Sequence, residues 1–66
     1  MEVCYDNLFE YMEKNNISQR KMAEKAGISR NSLIKMARGE IVHLSIIVAI
    51  CAAYDLELED VVNLKR

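Results

Sequence analysis

The sequence has few residues that could bind a metal ion or form a disulfide. Its two cysteines, Cys4 and Cys51, lie far apart and form no CxxC motif, and His43 is the single histidine. Cysteine and histidine therefore cannot supply the four ligands of a structural zinc site within one chain. We expect reduced thiols and no metal or other cofactor.

Long apolar runs and export signals are also lacking. No stretch of about 18 uninterrupted apolar residues occurs, and the first ten residues, MEVCYDNLFE, lack the basic-then-apolar order of a signal peptide. These absences predict a cytoplasmic protein with no membrane partner. No motif places a nucleophile beside a base, so we expect neither an enzyme nor a small-molecule substrate. With 66 residues, the chain is expected to form a single domain over residues 1–66, with a marginal core.

Glycine is scarce, and both glycines stand where helices are expected to end. Gly27 and Gly39 each follow a short segment with helical spacing of apolar residues, and Ser18 and Ser29 stand where helices need an N-cap. Two short helices joined by a tight glycine turn have the plan of a helix-turn-helix. The predicted helices cover Gln19–Ala26 and Arg30–Arg38.

Helical patterns cover most of the remaining sequence. Apolar residues at i, i+3, i+4 and i+7 predict a first helix over Val3–Lys14, and Leu58, Val61 and Val62 mark a short last helix. The segment Ser45–Tyr54 is apolar at every position but its ends; it could be a buried strand, but its length and three alanines favour a helix. The predicted fold is all-α, a compact five-helix bundle.

Charge is unevenly distributed along a chain whose net charge is −1. Residues 1–13 carry −4, residues 14–38 carry +6, and residues 39–66 carry −3. The overall balance argues against nucleic-acid binding, but a middle third this basic indicates one positive face with acidic flanks. A solvated helix surface remains the alternative interpretation.

The predicted third helix has two different sides. Leu33, Met36 and Ala37 are expected to point inward, opposite a stripe of polar and basic residues. Because the major groove of DNA admits one α-helix, residues near the start of this helix are candidates to read bases. Arg30 or Lys35 would favour guanine, and Asn31 adenine. The outer stripe consists of Asn31, Ile34, Lys35 and Arg38, flanked by Arg30 and Ser32.

Two further positions allow more than one interpretation. Ile34 could contact a thymine methyl group or be a harmlessly exposed isoleucine. Gln19 lies beside free backbone N–H groups, where its amide could bond phosphate and brace a reading side chain, or it could simply be a good first-turn residue. Arg20, Lys21 and Lys25 could contact the DNA backbone or only maintain solubility, and Arg20 can pair with Glu24.

These residues resemble the lambda-repressor and Cro-like helix-turn-helix domains of phage and bacterial regulators. The resemblance covers nearly the whole chain and is most specific at Ile17–Gln19, Met22–Ala23, Ala26–Ser29 and Arg38–Gly39, together with ICAAYDLELEDVV near the end. It implies a five-helix fold, dimeric binding to a palindromic operator, and transcriptional repression. It also implies DNA contacts, with Arg30, Asn31 and Lys35 in the groove and Gln19, Ser29, Ser32 and Arg38 near the sugar-phosphate backbone.

The same resemblance places the dimer contact in the last helix, through Leu58, Val62 and Leu64. Four positions depart from the family pattern. Met12 and Ala37 stand where many members have a basic and an acidic residue that join the first helix to the third. His43 stands at the usual cap of the fourth helix, and Glu40 stands where a basic residue often meets phosphate. A competing hypothesis is a protein-interaction module, such as the antitoxin half of a toxin pair. In that hypothesis the apolar fourth helix and the last turns bind another protein.

Overall fold

The computed structural model describes residues 2–65, and within them the chain forms five helices and two three-residue strands. All five predicted helices are present, and the second has the predicted bounds. The elements in chain order are β1 (Glu2–Cys4), α1 (Asp6–Lys14), α2 (Gln19–Ala26), α3 (Arg30–Ala37), α4 (Leu44–Tyr54), α5 (Leu58–Val61) and β2 (Asn63–Lys65).

The two strands were not predicted. They pair antiparallel, with Glu2 opposite Lys65, Val3 opposite Leu64, and Cys4 opposite Asn63. The prediction that the first helix begins at Val3 is therefore wrong. Residues 2–4 instead satisfy their backbone groups through a strand near the other end of the chain.

The core is built from the inner sides of all five helices together with Tyr5. Leu8, Met22, Leu33, Ile50 and Val61 have no exposed surface. Met12, Ala23, Met36 and Ile47 complete the buried set. The fourth helix contributes Ile47 and Ile50 to this core, so the helical interpretation of the apolar segment is confirmed.

One predicted inward residue of α3 is exposed. Leu33 and Met36 are buried, but Ala37, the last residue of the helix, faces solvent. The expectation for Ala37 is wrong because its position lies to one side of the line through Leu33 and Met36, where the last turn leaves the core.

A buried tyrosine joins the start of the chain to the segment that follows α3. The Tyr5 hydroxyl donates a hydrogen bond to the backbone carbonyl of Glu40 at 2.8 Å, across 35 residues of sequence. Burial raises the pKa of Tyr5, and a backbone hydrogen bond with Val42 partly offsets that increase. This contact fixes the position at which the chain leaves α3.

The α4 helix has an apolar side in contact with the core and a second apolar side in solvent. Leu44 and Val48 are 64% and 49% exposed, and Ala52 is also exposed. The helix has eleven residues and is the longest described; none of the described helices is long and apolar enough to cross a membrane.

Candidate nucleic-acid interface

The α2 helix begins and ends at the residues that the sequence indicated. The Ser18 side chain accepts a hydrogen bond from the Lys21 backbone N–H at 3.1 Å, which caps the first turn. Gly27 ends the helix with φ of 70°, a left-handed conformation that favours glycine. The backbone N–H of Ile28 then donates to the carbonyl of Ala23 at 3.0 Å. These bonds fix the turn that leads into α3.

The start of α3 is capped by Ser29. Its side chain accepts a hydrogen bond from the Ser32 backbone N–H at 3.3 Å, and the two hydroxyl oxygens lie 3.1 Å apart. Ser29 is exposed and Ser32 is half-buried. Their shared hydrogen bonds orient the first turn of α3, so contact with a sugar-phosphate backbone would be an additional role for either hydroxyl.

The three predicted base-reading side chains lie together on the exposed side of α3. Arg30, Asn31 and Lys35 are all exposed, and within residues 2–65 none of them has a side-chain hydrogen bond or ion pair. Their donors and acceptors are therefore available to a ligand. On the opposite side, Leu33 and Met36 are held in the core at 0% and 1% exposure, which sets the orientation of the outer side.

Arg38 differs from these three residues because it has a partner. It is the C-cap of α3, one residue beyond Ala37, so the helix ends within one position of the predicted end at about Arg38. Its guanidinium lies 3.8 Å from the Glu40 carboxylate, and both side chains are largely exposed. Exposed pairs of this kind contribute little free energy, so a phosphate could displace Glu40.

A groove of about 300 Å³ lies between α3 and the segment that leads into α4. Its lining includes Ser32 and Lys35 from α3, and it brings His43 to the same side of the molecule. Ile41 also lines the groove and is 81% exposed, whereas Ile34 on the outer side of α3 is 38% exposed. The segment after α3 is therefore part of the same surface.

Two of the three basic residues on α2 have intramolecular partners. Arg20 pairs with Glu24 at 3.4 Å, as the spacing indicated, and the Lys25 ammonium lies 4.5 Å from the centre of the Tyr54 ring. Lys21 has no side-chain partner among the described residues. Gln19, the first residue of α2, is half-buried. Lys21 and Gln19 are thus better placed than Arg20 or Lys25 to contact an anion.

The electrostatics of the surface follow the charge distribution of the sequence. All seven basic side chains of residues 14–38 are exposed. Half of the ten acidic residues, all exposed, lie on α1 and α5, including Glu10, Glu13, Glu59 and Asp60, and a single one, Glu24, lies on α2 or α3. Because α2 and α3 carry a basic surface and other helices carry acidic surface, the molecule should approach a polyanion with α2 and α3 facing it.

Sequence analysis missed two features of this surface. It assigned no role to Ile41 or Val42, and it did not anticipate the Tyr5–Glu40 hydrogen bond. An apolar residue two positions after the glycine that ends a helix was a visible signal for Ile41. A single hydrogen bond across 35 residues leaves no sequence pattern.

Comparisons with known proteins agree with this geometry. A model of the Cro/C1-type helix-turn-helix DNA-binding domain matches residues 7–66. The crystal structure titled transcriptional regulator VanUg, Form II, superposes with a TM-score of 0.86 at 23% sequence identity, covering 98% of this chain and 88% of that one. No curated protein matches the chain. The predicted fold, a five-helix bundle with a helix-turn-helix at α2 and α3, is confirmed.

Proposed function

This chain belongs to the Cro/C1-type helix-turn-helix DNA-binding family, and on that premise we propose that it regulates transcription by sequence-specific binding to double-stranded DNA. In this proposal α3 lies in the major groove. The observation that carries the proposal is the outer side of α3, where Arg30, Asn31 and Lys35 are exposed and have no partner among the described residues. The basic charge around them supplies the attraction to phosphate.

Each side chain has a role in this proposal. Arg30 or Lys35 donates to guanine, and Asn31 makes a paired contact with adenine. Ile34 either contacts a thymine methyl group or only packs on the surface. The remaining predicted contacts, Gln19, Ser29, Ser32 and Arg38, would hold the sugar-phosphate backbone and set the register of α3.

We further propose that the protein binds a palindromic operator as a homodimer and acts as a repressor. Leu58 and Leu64 of the predicted dimer contact are 51% and 64% exposed, which suits an interface. Val62 is half-buried and extended, and Leu64 belongs to β2, so this contact would not lie on one helix. The C-terminal placement of the dimer contact stays a prediction.

The remaining parts of the proposal concern the class of protein. We propose a single-domain binding protein without enzymatic activity, working in the cytoplasm and on the nucleoid. The family match to a DNA-binding domain supports this assignment, and the neighbour of the same fold, VanUg, is described as a transcriptional regulator.

The proposal is tested by selecting bound sequences from random duplexes and measuring binding to the selected DNA over a salt series. Neutralising phosphates with lysine and arginine releases counterions, so the affinity should fall steeply as salt rises. The selected sequence should be palindromic. Absence of any mobility shift at every salt concentration would contradict the proposal.

The exposed apolar side of α4 favours a second candidate, the protein-interaction module. Leu44 and Val48 are available to another protein, as an antitoxin would require, and such a module could bind DNA as well. A module without a DNA function would give no selected sequence and no mobility shift, and Lys35→Ala would leave its partner binding unchanged.

A further inference from the structure

Glu40 places an acidic side chain at the end of the basic surface formed by α2 and α3. Its carboxylate lies 3.8 Å from the Arg38 guanidinium, and both side chains are exposed. The backbone N–H of Glu40 donates a hydrogen bond to the Lys35 carbonyl at 3.0 Å. Lys35 and Arg38 both belong to the outer stripe of α3, so the carboxylate lies beside residues that are proposed to contact DNA.

The backbone of Glu40 is held on both sides of its Cα atom. Gly39, which follows the C-cap of α3, has φ of 77°, and its N–H donates to the Met36 carbonyl at 2.9 Å. Together with the bond from Glu40 to Lys35, this is the Schellman arrangement that closes many helices. The Tyr5 hydroxyl donates to the Glu40 carbonyl at 2.8 Å. The carboxylate therefore extends from a fixed point beside Arg38.

Folding of the chain does not explain a negative charge at this position. The C-terminal end of a helix carries a partial negative charge, which favours basic side chains and disfavours acidic ones. The other acid on this surface, Glu24, lies four residues after Arg20 within α2, where such a pair supports the helix. Glu40 follows α3 and has no such role, and its exposed pair with Arg38 contributes little stability.

We propose that the Glu40 carboxylate competes with DNA phosphate for the Arg38 guanidinium, and that it holds the DNA affinity of this surface below what its basic residues alone would reach. The inference rests on the proposed function, because it concerns how tightly the proposed surface holds DNA. A phosphate that binds Arg38 must displace the carboxylate and then lies close to it as a second negative charge. Both effects oppose binding.

Glu40 sets the affinity for DNA without reading its sequence. Phosphates are common to every duplex, whereas sequence is read at base edges, a role assigned to Arg30, Asn31 and Lys35. The competition at Arg38 therefore lowers the affinity for selected and random duplexes by the same factor, and their ratio stays unchanged.

Removing the charge of Glu40 tests the competition. Glu40→Gln keeps the size of the side chain and both backbone hydrogen bonds, and it should bind selected and random duplexes roughly three- to tenfold more tightly at about 50 mM salt. The plot of log affinity against log salt should become steeper by at most about 0.9, the value for one more neutralised phosphate. A change confined to the selected duplex would indicate a contact from Glu40 to a base edge and overturn the inference.

Glu24→Gln is the matched control. The Glu24 carboxylate is exposed and lies 3.4 Å from the Arg20 guanidinium, so this variant removes the same charge from the same kind of partner. Its DNA affinity should change by less than about twofold, because Arg20 is not among the proposed DNA contacts. Equal gains from E24Q and E40Q would assign the effect to net charge and overturn the inference.

A double-mutant cycle tests whether the effect passes through Arg38. Arg38→Gln should weaken DNA binding in the native chain, and it should weaken binding more in the Glu40→Gln background, where the guanidinium has no competing carboxylate. In the Arg38→Gln background the gain from Glu40→Gln should fall below about twofold. A gain of the same size in both backgrounds would overturn the competition. Thermal unfolding checks that each variant folds, and E40Q should be at least as stable as the native chain.

The outcomes separate this inference from the proposed function. If selection yields no preferred sequence but Glu40→Gln strengthens binding to random duplexes through Arg38, the competition stands and sequence-specific regulation is contradicted. If selection yields a preferred sequence and Glu40→Gln binds it no more tightly than the native chain does, the proposed function stands and the competition is overturned.

Discussion

Two consecutive helices of this molecule, α3 and α4, bury similar apolar sides but expose sides of different chemical character. The α3 helix buries Leu33 and Met36, and α4 buries Ile47 and Ile50, so each is held by two apolar side chains. Facing solvent, α3 presents mainly polar and basic residues, whereas α4 presents the apolar residues Leu44, Val48 and Ala52. The buried sides explain why both helices pack, and only the exposed sides distinguish what each can bind.

The difference gives the two exposed sides affinity for different kinds of surface. The exposed side of α3 is well hydrated and can exchange water for phosphate and base edges at little cost. The exposed side of α4 gains free energy only when another apolar surface removes it from water. We therefore expect substitutions on the two exposed sides to have separable effects, and substitutions on the buried sides to affect everything together.

The largest expected effect comes from breaking the buried side of α3. Leu33→Ala removes a fully buried side chain and should lower the free energy of unfolding by about 2–5 kcal/mol, which a domain this small can barely tolerate. Ile34→Ala, one residue away on the outer side, is the matched control and should change stability far less. Urea unfolding measures both. Equal losses would show that the two sides are not distinct.

The next effect separates DNA reading from stability. Asn31→Ala and Lys35→Ala should each weaken binding to the selected site by about 1–3 kcal/mol, because each removes a proposed base contact. Their thermal unfolding should be unchanged, since both side chains are exposed and without partners. Titrating each variant with the selected duplex and with random duplexes, and comparing the affinities, tests this prediction. The same loss on both kinds of DNA would assign these residues to the sugar-phosphate backbone.

A smaller effect concerns the turns on either side of α3. Gly27 and Gly39 have φ of 70° and 77°, and an added Cβ would meet no atom within 4 Å at Gly27 and only the Val3 carbonyl, at 3.9 Å, at Gly39. Alanine at either site should therefore cost about 1–2 kcal/mol from backbone strain alone. The two variants serve as controls for each other in thermal unfolding. A much larger loss at one glycine would reveal a steric role there.

The smallest effect concerns the hydrogen bond that fixes the exit from α3. Tyr5→Phe should cost about 0.5–1.5 kcal/mol near neutral pH, because the Glu40 carbonyl loses its donor. Tyr5 has a pKa raised above 10.0 in the folded chain, so its contribution is full below that pH and is lost as pH rises through the folded value.

The pH dependence of stability is the control for the Tyr5→Phe prediction. The difference in unfolding free energy between the native chain and the Tyr5→Phe variant should narrow above about pH 10. Tyr54 also has a raised pKa, mainly from burial, but it is present in both proteins and cancels in the comparison. A difference that stays constant from pH 7 to pH 11 would contradict the role assigned to the Tyr5 hydroxyl.

Sequence alone predicted the parts of the fold that depend on neighbouring residues. The α2 bounds and the start of α3 follow from Ser18, Ser29 and Gly27, whose capping and turn chemistry acts within a few positions. The two strands could not be predicted in this way. Three residues show no periodicity, and the pairing of Val3 with Leu64 joins positions 61 residues apart.

The exposed surfaces also divide into a part that the sequence predicted and a part that it could not predict. Helical spacing alone placed Arg30, Asn31 and Lys35 on the exposed side of α3, which the structure confirms. The exposed row on α4 could not be separated from the core by sequence, because every residue from Ile46 to Ala53 is apolar and nothing in the pattern shows which side faces solvent. Only the packing of Ile47 and Ile50 in the core decides which side of α4 faces solvent.

The burial of Val61 bears on how this chain is made. Val61 has no exposed surface, yet it belongs to the four-residue α5 near the end of the described chain. During synthesis the nascent polypeptide can form its early helices, but the interior stays open until residue 61 has left the ribosome. Packing of this core should therefore be a nearly all-or-none event that waits for Val61.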